Sequence, residues 1–431
     1  MDRSTNRSTE QTGQPSDADV NPGIAAATAS EPPPTGQRDR RALWEVVRFF
    51  AWLSVAGFGG PAAHLSVMRR ELVDRRRWLS EQEFLDLLGA TQLIPGPNST
   101  EMAIHIGYRR AGLSGLLLAG LGFIVPAAVI TLLLSWLYVR YGRLPSVQPM
   151  LVGIQASVVA VVALAVWSLS RTALRDGRLW ALAGLAAVAS IAGVPELVVF
   201  FGGGLLYLLS VSFLLPALRG RQGTSGLPGL VVSLGGLGAS QAPSLPSVSL
   251  SQTMAPFSVS LPALALFFAK VGSVIYGSGY VLVALLLRGL VDERAWLSRA
   301  TLLDAVAIGQ VTPGPVFTTA TCVGYLLRGP VGAVVATAAI FAPSFALVWG
   351  LDKLLSRLRR SPQLRVFLDG VNACSLALLA ATAGGLLAGL WSRGAYLWLG
   401  WSIAALLIGG LAKLNPSWLV VAGALLGAVL G

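Results

Sequence analysis

Gln92-Leu93-Ile94-Pro95-Gly96-Pro97-Asn98-Ser99-Thr100-Glu101 stands between two apolar runs, and its reading decides the fold. Each proline removes a backbone donor and Gly96 relaxes the backbone, so a helix running through here must break. Gln310-Val311-Thr312-Pro313-Gly314-Pro315 repeats the break 218 residues later (313 − 95 = 218). A broken helix at membrane depth is tolerated only against protein or a watery cavity. Two breaks at corresponding places of two halves point to a binding site shared between repeats.

The surroundings repeat with the breaks. Trp78-Leu79-Ser80 returns as Trp296-Leu297-Ser298 (296 − 78 = 218), and Phe49-Phe50-Ala51, Asp86 and Gln92 return as Phe267-Phe268-Ala269, Asp304 and Gln310. Beyond the break the offset falls by one: Gly107-Tyr108 matches Gly324-Tyr325 (324 − 107 = 217), Pro126 matches Pro343 and Gly153 matches Gly370. One residue has been lost just after Pro-Gly-Pro. Two greasy sequences would not hold such a register by chance, so the chain is a tandem duplication. The expected division is a disordered polar tail over 1–42, a first transmembrane repeat over 43–218, a Ser/Gly/Pro-rich linker over 219–261 and a second repeat over 262–431.

Composition sets the class. With 431 residues, 54% apolar and 12% charged, and a mean hydropathy of +0.68, the chain is an all-α polytopic membrane protein. Runs such as Leu113–Tyr138 and Val331–Gly350 reach the ~20 residues that cross a bilayer. The net charge of +12 sits in loops, as at Arg69, Arg70 and Arg75 to Arg77, which fits positive-inside bias and not a nucleic-acid surface. Arginines occur in most loops, so they do not fix the orientation of the halves; paired broken helices favour inverted repeats. Cys322 and Cys374 make neither a disulfide framework nor a metal cluster. The tail has no signal-peptide core.

Local signals place the segments. Trp44 to about Val67 is interrupted at Gly57-Phe58-Gly59-Gly60-Pro61, and Ser80 with Glu83 forms a capping box that starts a short helix at Glu81. That helix ends at Pro95. Asn98 or Ser99 can cap a second short helix to Tyr108, before longer segments over Leu113–Tyr138, Val147–Leu169, Leu179–Val194 and Glu196–Leu215.

Asn98, Ser99, Thr100, Glu101 and His105 cluster at the first break, with Glu101 and His105 on one helical face. Ionisable residues at membrane depth are expensive and usually functional; the alternative is an interfacial Glu101 paired with Arg109 or His105. The second break carries Val316, Phe317, Thr318, Thr319 and Thr321, hydroxyls without charge. Two helix N-termini meeting at the midplane would suit an anion, while simple packing kinks are the alternative. Lys270, aligned with Trp52 (270 − 52 = 218), is a candidate fixed cation for a dianion, unless it snorkels to the interface. His64 either senses protons or bonds a carbonyl. Asp86 and Asp304 could cap, pair with loop arginines or relay protons. A membrane-embedded enzyme is the rival class, but H-E-x-x-H, G-x-S-x-G, Walker A and dinucleotide fingerprints are all missing. No cofactor or metal is expected.

Phe58-Gly59-Gly60-Pro61-Ala62-Ala63-His64, Trp78-Leu79-Ser80 and Gln92 to Glu101 together resemble the chromate ion transporter family of the long, two-domain type. Pro313-Gly314-Pro315 and Gly324-Tyr325 look like its C-terminal domain. The resemblance implies a bacterial inner-membrane protein that exports chromate from the cytoplasm and confers resistance, with a sulfate or other oxyanion importer or exchanger as the alternative; a homodimer is allowed. On this reading Pro95, Gly96, Pro97, Asn98, Ser99, Thr100, Lys270, Pro313, Gly314, Pro315, Thr318 and Thr319 bind the oxyanion. Glu101, His105 and His64 couple or gate.

Overall fold

The computed structural model describes residues 35–58, 60–142, 144–214, 259–276, 279–358, 361–392, 394–412 and 414–430. The expected linker lies almost wholly outside the described residues, as do the first 34 residues of the expected tail. Helix α1, Thr35–Ala56, begins inside the stretch read as tail, because Gln, Arg and Ala extend the helical segment back from Trp44.

Each repeat opens with two hairpins that enter the bundle and come back to the same face. In the first, α1 breaks at Gly57, and α2 (Gly60–Arg69) with a π-helical turn (Arg70–Arg75) returns alongside it. Met68 and Leu72 on the return pack with Val46 and Phe49 on the way in. Next, α3 (Glu81–Thr91) starts on the capping box, with Ser80 Oγ accepting from Glu83 N and Glu83 accepting from Ser80 N at 2.8 Å. After Pro-Gly-Pro, α4 (Asn98–Tyr141) runs back to a sharp turn at Ala111 and Gly112, then reverses as a long crossing segment. The expected pair, one short helix and one long, is therefore observed. Pro97 is the N-cap and supplies no side-chain bond, so neither Asn98 nor Ser99 caps this helix.

The crossings follow as α5 (Gln148–Ala173), α6 (Gly177–Ile191) and α7 (Gly203–Leu209), the last flanked by π-helical turns over Val198–Gly202 and Ser210–Leu214. The second repeat reproduces the order as α8 (Leu261–Val274), α9 (Val281–Leu286) with a π-helical turn (Leu287–Asp292), α10 (Arg299–Val311) and α11 (Thr319–Leu358). It ends with α12 (Pro362–Ser392), α13 (Tyr396–Ala412) and α14 (Pro416–Leu430). Detail repeats too. Arg76 lies over Phe49 at 5.0 Å and Trp78 at 5.5 Å, while Arg294 lies over Phe267 at 5.1 Å and Trp296 at 5.6 Å. The turn at Arg328 and Gly329 has the same backbone conformation as that at Ala111 and Gly112.

The repeats run in opposite directions. Arg110 pairs with Glu45 at 2.8 Å and covers Trp78 at 4.6 Å, so the start of α1 and the outer ends of both hairpins share one face, here the entry face. The long part of α4 crosses to the opposite face, α5 returns and α6 crosses again. Arg288, in the second repeat's first hairpin, pairs with Glu196 at 3.0 Å and donates to Gly193 O at 2.9 Å, at the α6–α7 turn on the opposite face. Tyr138 at the far end of α4 reaches Asp304 near the start of α10 at 2.7 Å. Parallel repeats would hold those two groups apart by most of the membrane thickness.

The closing helices are exchanged between repeats. Helices α6 and α7 pack on α12, and α13 and α14 pack on α5. Glycines allow the approach: a Cβ on Gly153 would strike the Gly423 carbonyl, and one on Gly370 would meet Gly204 and Tyr207. Among the described residues, four helices, α4, α5, α11 (from Val316 to Gly350) and α12, are long and apolar enough to cross a membrane.

Candidate functional site

The two Pro-Gly-Pro loops are bound reciprocally across the repeat interface. Gly96 N donates to Ile275 O at 2.8 Å, where α8 breaks; Gly314 N donates to Gly57 O at 3.1 Å, where α1 breaks. Donors and acceptors are both matched pairs (314 − 96 = 218, 275 − 57 = 218). Gly96 at φ +142° and Gly314 at φ +96° occupy backbone space that L residues rarely enter. An added Cβ would also meet Glu101 Oε1 and Ser344 Oγ at Gly96, or Ala127 and Ser54 at Gly314. Only glycine fits at either loop.

Beyond the loops the halves differ. In the first repeat Thr100 N and Glu101 N both donate to Pro97 O, at 2.8 and 3.0 Å, and an α-helix starts directly. In the second, Thr318 N donates to Pro315 O at 3.0 Å within a 3₁₀ turn over Val316–Thr318. The lost residue is the difference between those two starts. The 3₁₀ turn packs on α4, and Ala127 in the long part of that helix lies beside Gly314.

Glu101 is fully buried, with Oε1 3.5 Å from Ser344 Oγ and Oε2 without a hydrogen-bond partner. Its contact is Ser344 of the other repeat; Arg109, one of the two partners an interfacial Glu101 would take, is exposed. His105, one turn along α4, is buried as well. His64 is buried with Nε2 2.9 Å from Gly57 O and its ring edge-on to Phe123 at 5.2 Å. A carbonyl can only accept, so Nε2 carries the hydrogen and Nδ1 is a bare acceptor, buried without a partner. The same Gly57 carbonyl receives Gly314 N, so His64 is one atom away from the second repeat's loop.

Other expected residues divide. Ser99 and Thr100 are buried beside Glu101, Thr100 Oγ1 has no partner, and Asn98 is half-buried at the helix start. Thr318 and Thr319 spend their hydroxyl hydrogens locally, on Pro315 O at 2.9 Å and Val316 O at 2.8 Å, and are poor donors to a ligand. Lys270 is not at the site. It is exposed on α8 and lines a separate small cleft with Glu196, Glu293 and Arg294. The helix buries Phe267, Phe268, Val271 and Gly272, and Lys270 faces the other way, as does its counterpart Trp52.

Sequence reading missed Ser344 and Ser54. Ser54 Oγ accepts from Ala127 N at 3.1 Å, beside Gly314. A signal existed: Ser344 and Ala127 are matched (344 − 127 = 217) and each follows a matched proline inside an apolar helix. Asp86 and Asp304 have also diverged. Asp304 is buried and accepts from Tyr138 Oη at 2.7 Å and Gln155 Nε2 at 2.9 Å, whereas Asp86 is exposed.

Inverted repeats, broken helices cross-bonded at their interface and buried ionisable groups beside the breaks define a helical membrane protein with the architecture of a secondary transporter. The family model "Chromate transporter" matches residues 44–208 and again 262–428, one match for each repeat. The chain belongs to that family. It is 32% identical to the chromate transport protein of Cupriavidus metallidurans over 78% of this chain and 80% of the relative. It is likewise 32% identical to that of Pseudomonas aeruginosa, over 83% and 82%. An uncharacterized transporter of Methanocaldococcus jannaschii is 26% identical over 86% and 89%. No solved structure matches.

Proposed function

We propose that the chain is a secondary transporter that exports chromate, a tetrahedral oxyanion, from the cytoplasm across a bacterial inner membrane, and so confers chromate resistance. The observation that carries this is the reciprocal docking of two Pro-Gly-Pro breaks beside buried Glu101, His105 and His64, in a chain whose named relatives are chromate transport proteins. Backbone N–H groups at the starts of α4 and the 3₁₀ turn, with Asn98, Ser99 and Thr100, bind the oxyanion, because unpaired N–H groups and the helix dipole favour negative charge. Glu101 and His105 take and release the coupling proton. His64 holds the Gly57 carbonyl against Gly314.

Sorting loops by face supports an orientation that the sequence left open. Among the described loop residues, the entry face carries Arg69, Arg70, Arg75, Arg76, Arg77, Arg109, Arg110, Arg175 and Arg365, and the opposite face carries Arg140, Arg288, Arg294, Arg299 and Arg328. The positive-inside rule then makes the entry face cytoplasmic.

Labelled-chromate accumulation in energised membrane vesicles tests the reading, with sulfate as competitor. Export predicts accumulation in everted vesicles that a proton or potential uncoupler abolishes. Accumulation only in right-side-out vesicles would make the protein an importer and overturn the proposal.

A further inference from the structure

Helices α3 and α10 occupy matched places, yet one is loose and the other is sealed. α10 is enclosed by α4, α5, α11 and α14, with Leu302 to Ala307 buried. It is latched at two levels: Asp304 accepts from Tyr138 and Gln155, and Gln310 O accepts from Ser417 Oγ at 2.8 Å. α3 packs chiefly on α4, and Asp86 on it and Gln92 just after it are exposed. A polar cleft of about 750 Å³ opens beside it, lined by Asp86, Gln92, Arg175, Arg365, Asp369 and Asn372.

The partners in the latch have counterparts in the cleft. Gln155 matches Asn372 (372 − 155 = 217), carboxamide for carboxamide, and Asp304 matches Asp86 (304 − 86 = 218). Gln155 is engaged, while Asn372 Oδ1 is buried without a hydrogen-bond partner. Tyr138 has no such counterpart: Leu355 stands at its matched position (355 − 138 = 217). The repeats are inverted, so cleft and latch lie towards opposite faces.

We propose that this cleft is the cytoplasmic vestibule through which an oxyanion reaches the Pro-Gly-Pro junction, and that the Asp304–Tyr138–Gln155 cluster is the closed gate of the opposite vestibule. Arg175 and Arg365 line the open cleft beside Asp86 and Asp369, so an oxyanion entering from water meets guanidinium donors within a charge-balanced lining. In transport the two exchange: α3 swings onto α12 and Asp86 receives Asn372 Nδ2–H, while α10 leaves Tyr138 and Gln155. The phenol present in one latch and missing from the other makes the cytoplasm-open state the resting one. This inference rests on the transporter reading but not on chromate as the substrate.

Gln92 and Gln310 are matched reporters, one exposed and one buried. In a chain with Cys322 and Cys374 changed to alanine, Gln92→Cys or Gln310→Cys is treated with a membrane-impermeant maleimide in everted and right-side-out vesicles. Gln92→Cys is expected to label only in everted vesicles, and Gln310→Cys in neither. Adding Tyr138→Phe removes one hydrogen bond to a carboxylate, so Gln310→Cys labels about tenfold faster in right-side-out vesicles. Labelling of Gln92→Cys slows at the same time. Asp304→Asn should act in the same direction, which guards against a local fault in one variant. The proposal is overturned if Gln310→Cys labels from the same face as Gln92→Cys, or if neither variant changes either rate. Failure of chromate transport with these labelling shifts intact would sink the substrate and leave the gates standing.

Discussion

The two Pro-Gly-Pro hairpins share a scaffold and differ in the side chains that follow the break. Both place glycine in left-handed space, both donate to the broken helix of the other repeat, and both begin from a serine-capped helix. The first then presents a fully buried carboxyl with one long contact; the second presents threonines bonded to their own turn. The two copies thus share the break and its cross-bond, and only one of them carries a carboxyl beside it. The lesson is that symmetry here is a property of the backbone, and asymmetry of the side chains that would handle protons.

The largest effect should come from the shared part. Gly96→Ala and Gly314→Ala each force a side chain into left-handed backbone and into contact with the other repeat. Each should cost about 1–3 kcal/mol from backbone strain alone, lowering the detergent melting temperature by similar amounts and removing transport. Unequal losses would break the claimed equivalence of the loops.

Next comes the part that differs. Glu101→Gln should cut proton-driven chromate accumulation by at least about tenfold, the factor that 1.4 kcal/mol represents, with little change in melting temperature. Thr318→Val, at the matched position (318 − 101 = 217), should leave transport near normal and cost about 1 kcal/mol for its lost hydrogen bond to Pro315. His64→Ala lies between, since it removes one bond to Gly57 O and leaves that from Gly314. About 1 kcal/mol for that bond, together with a few-fold loss of transport, would place it as a support for the loop.

The smallest effect lies at the rim. Asp176 caps α6, accepting from Leu179 N at 2.8 Å, Arg178 N at 3.1 Å and Tyr207 Oη at 3.0 Å; Arg393 stands at its matched position (393 − 176 = 217). The bond from Leu179 N, above all, holds its carboxyl below the usual aspartate value. Its contribution is therefore present above the unfolded pKa of about 3.9 and lost as pH falls through the folded one. Asp176→Ala should cost about 1 kcal/mol at neutral pH, and the difference from wild type should shrink in acid melts.

Much of this was readable in the residues. The change of offset from 218 to 217 after Pro97 marks the place where an α-turn gives way to the 3₁₀ turn over Val316–Thr318. Ser80 with Glu83 located the start of α3, and Gly57 to Pro61 located the first break. What escaped depends on which repeat a face meets. A period cannot say that α6 and α7 pack on α12 rather than on α5, since both partners are apolar and share the register. Inversion stayed open because arginines occur in most loops, and became readable once contacts such as Tyr138 to Asp304 assigned each loop to a face. Lys270 was read by depth alone; its direction around α8 was set by the burial of Phe267, Phe268, Val271 and Gly272. Glu101 was found from its own chemistry, but its contact Ser344 lies 243 residues away.

The central claim is that the first hairpin alone carries the coupling. Its most direct test is chromate accumulation in everted vesicles under an imposed pH gradient, comparing wild type, Glu101→Gln and Thr318→Val at equal protein level. The account predicts gradient-dependent accumulation by wild type and Thr318→Val, and none above background by Glu101→Gln. Equal, gradient-dependent accumulation by all three would contradict it.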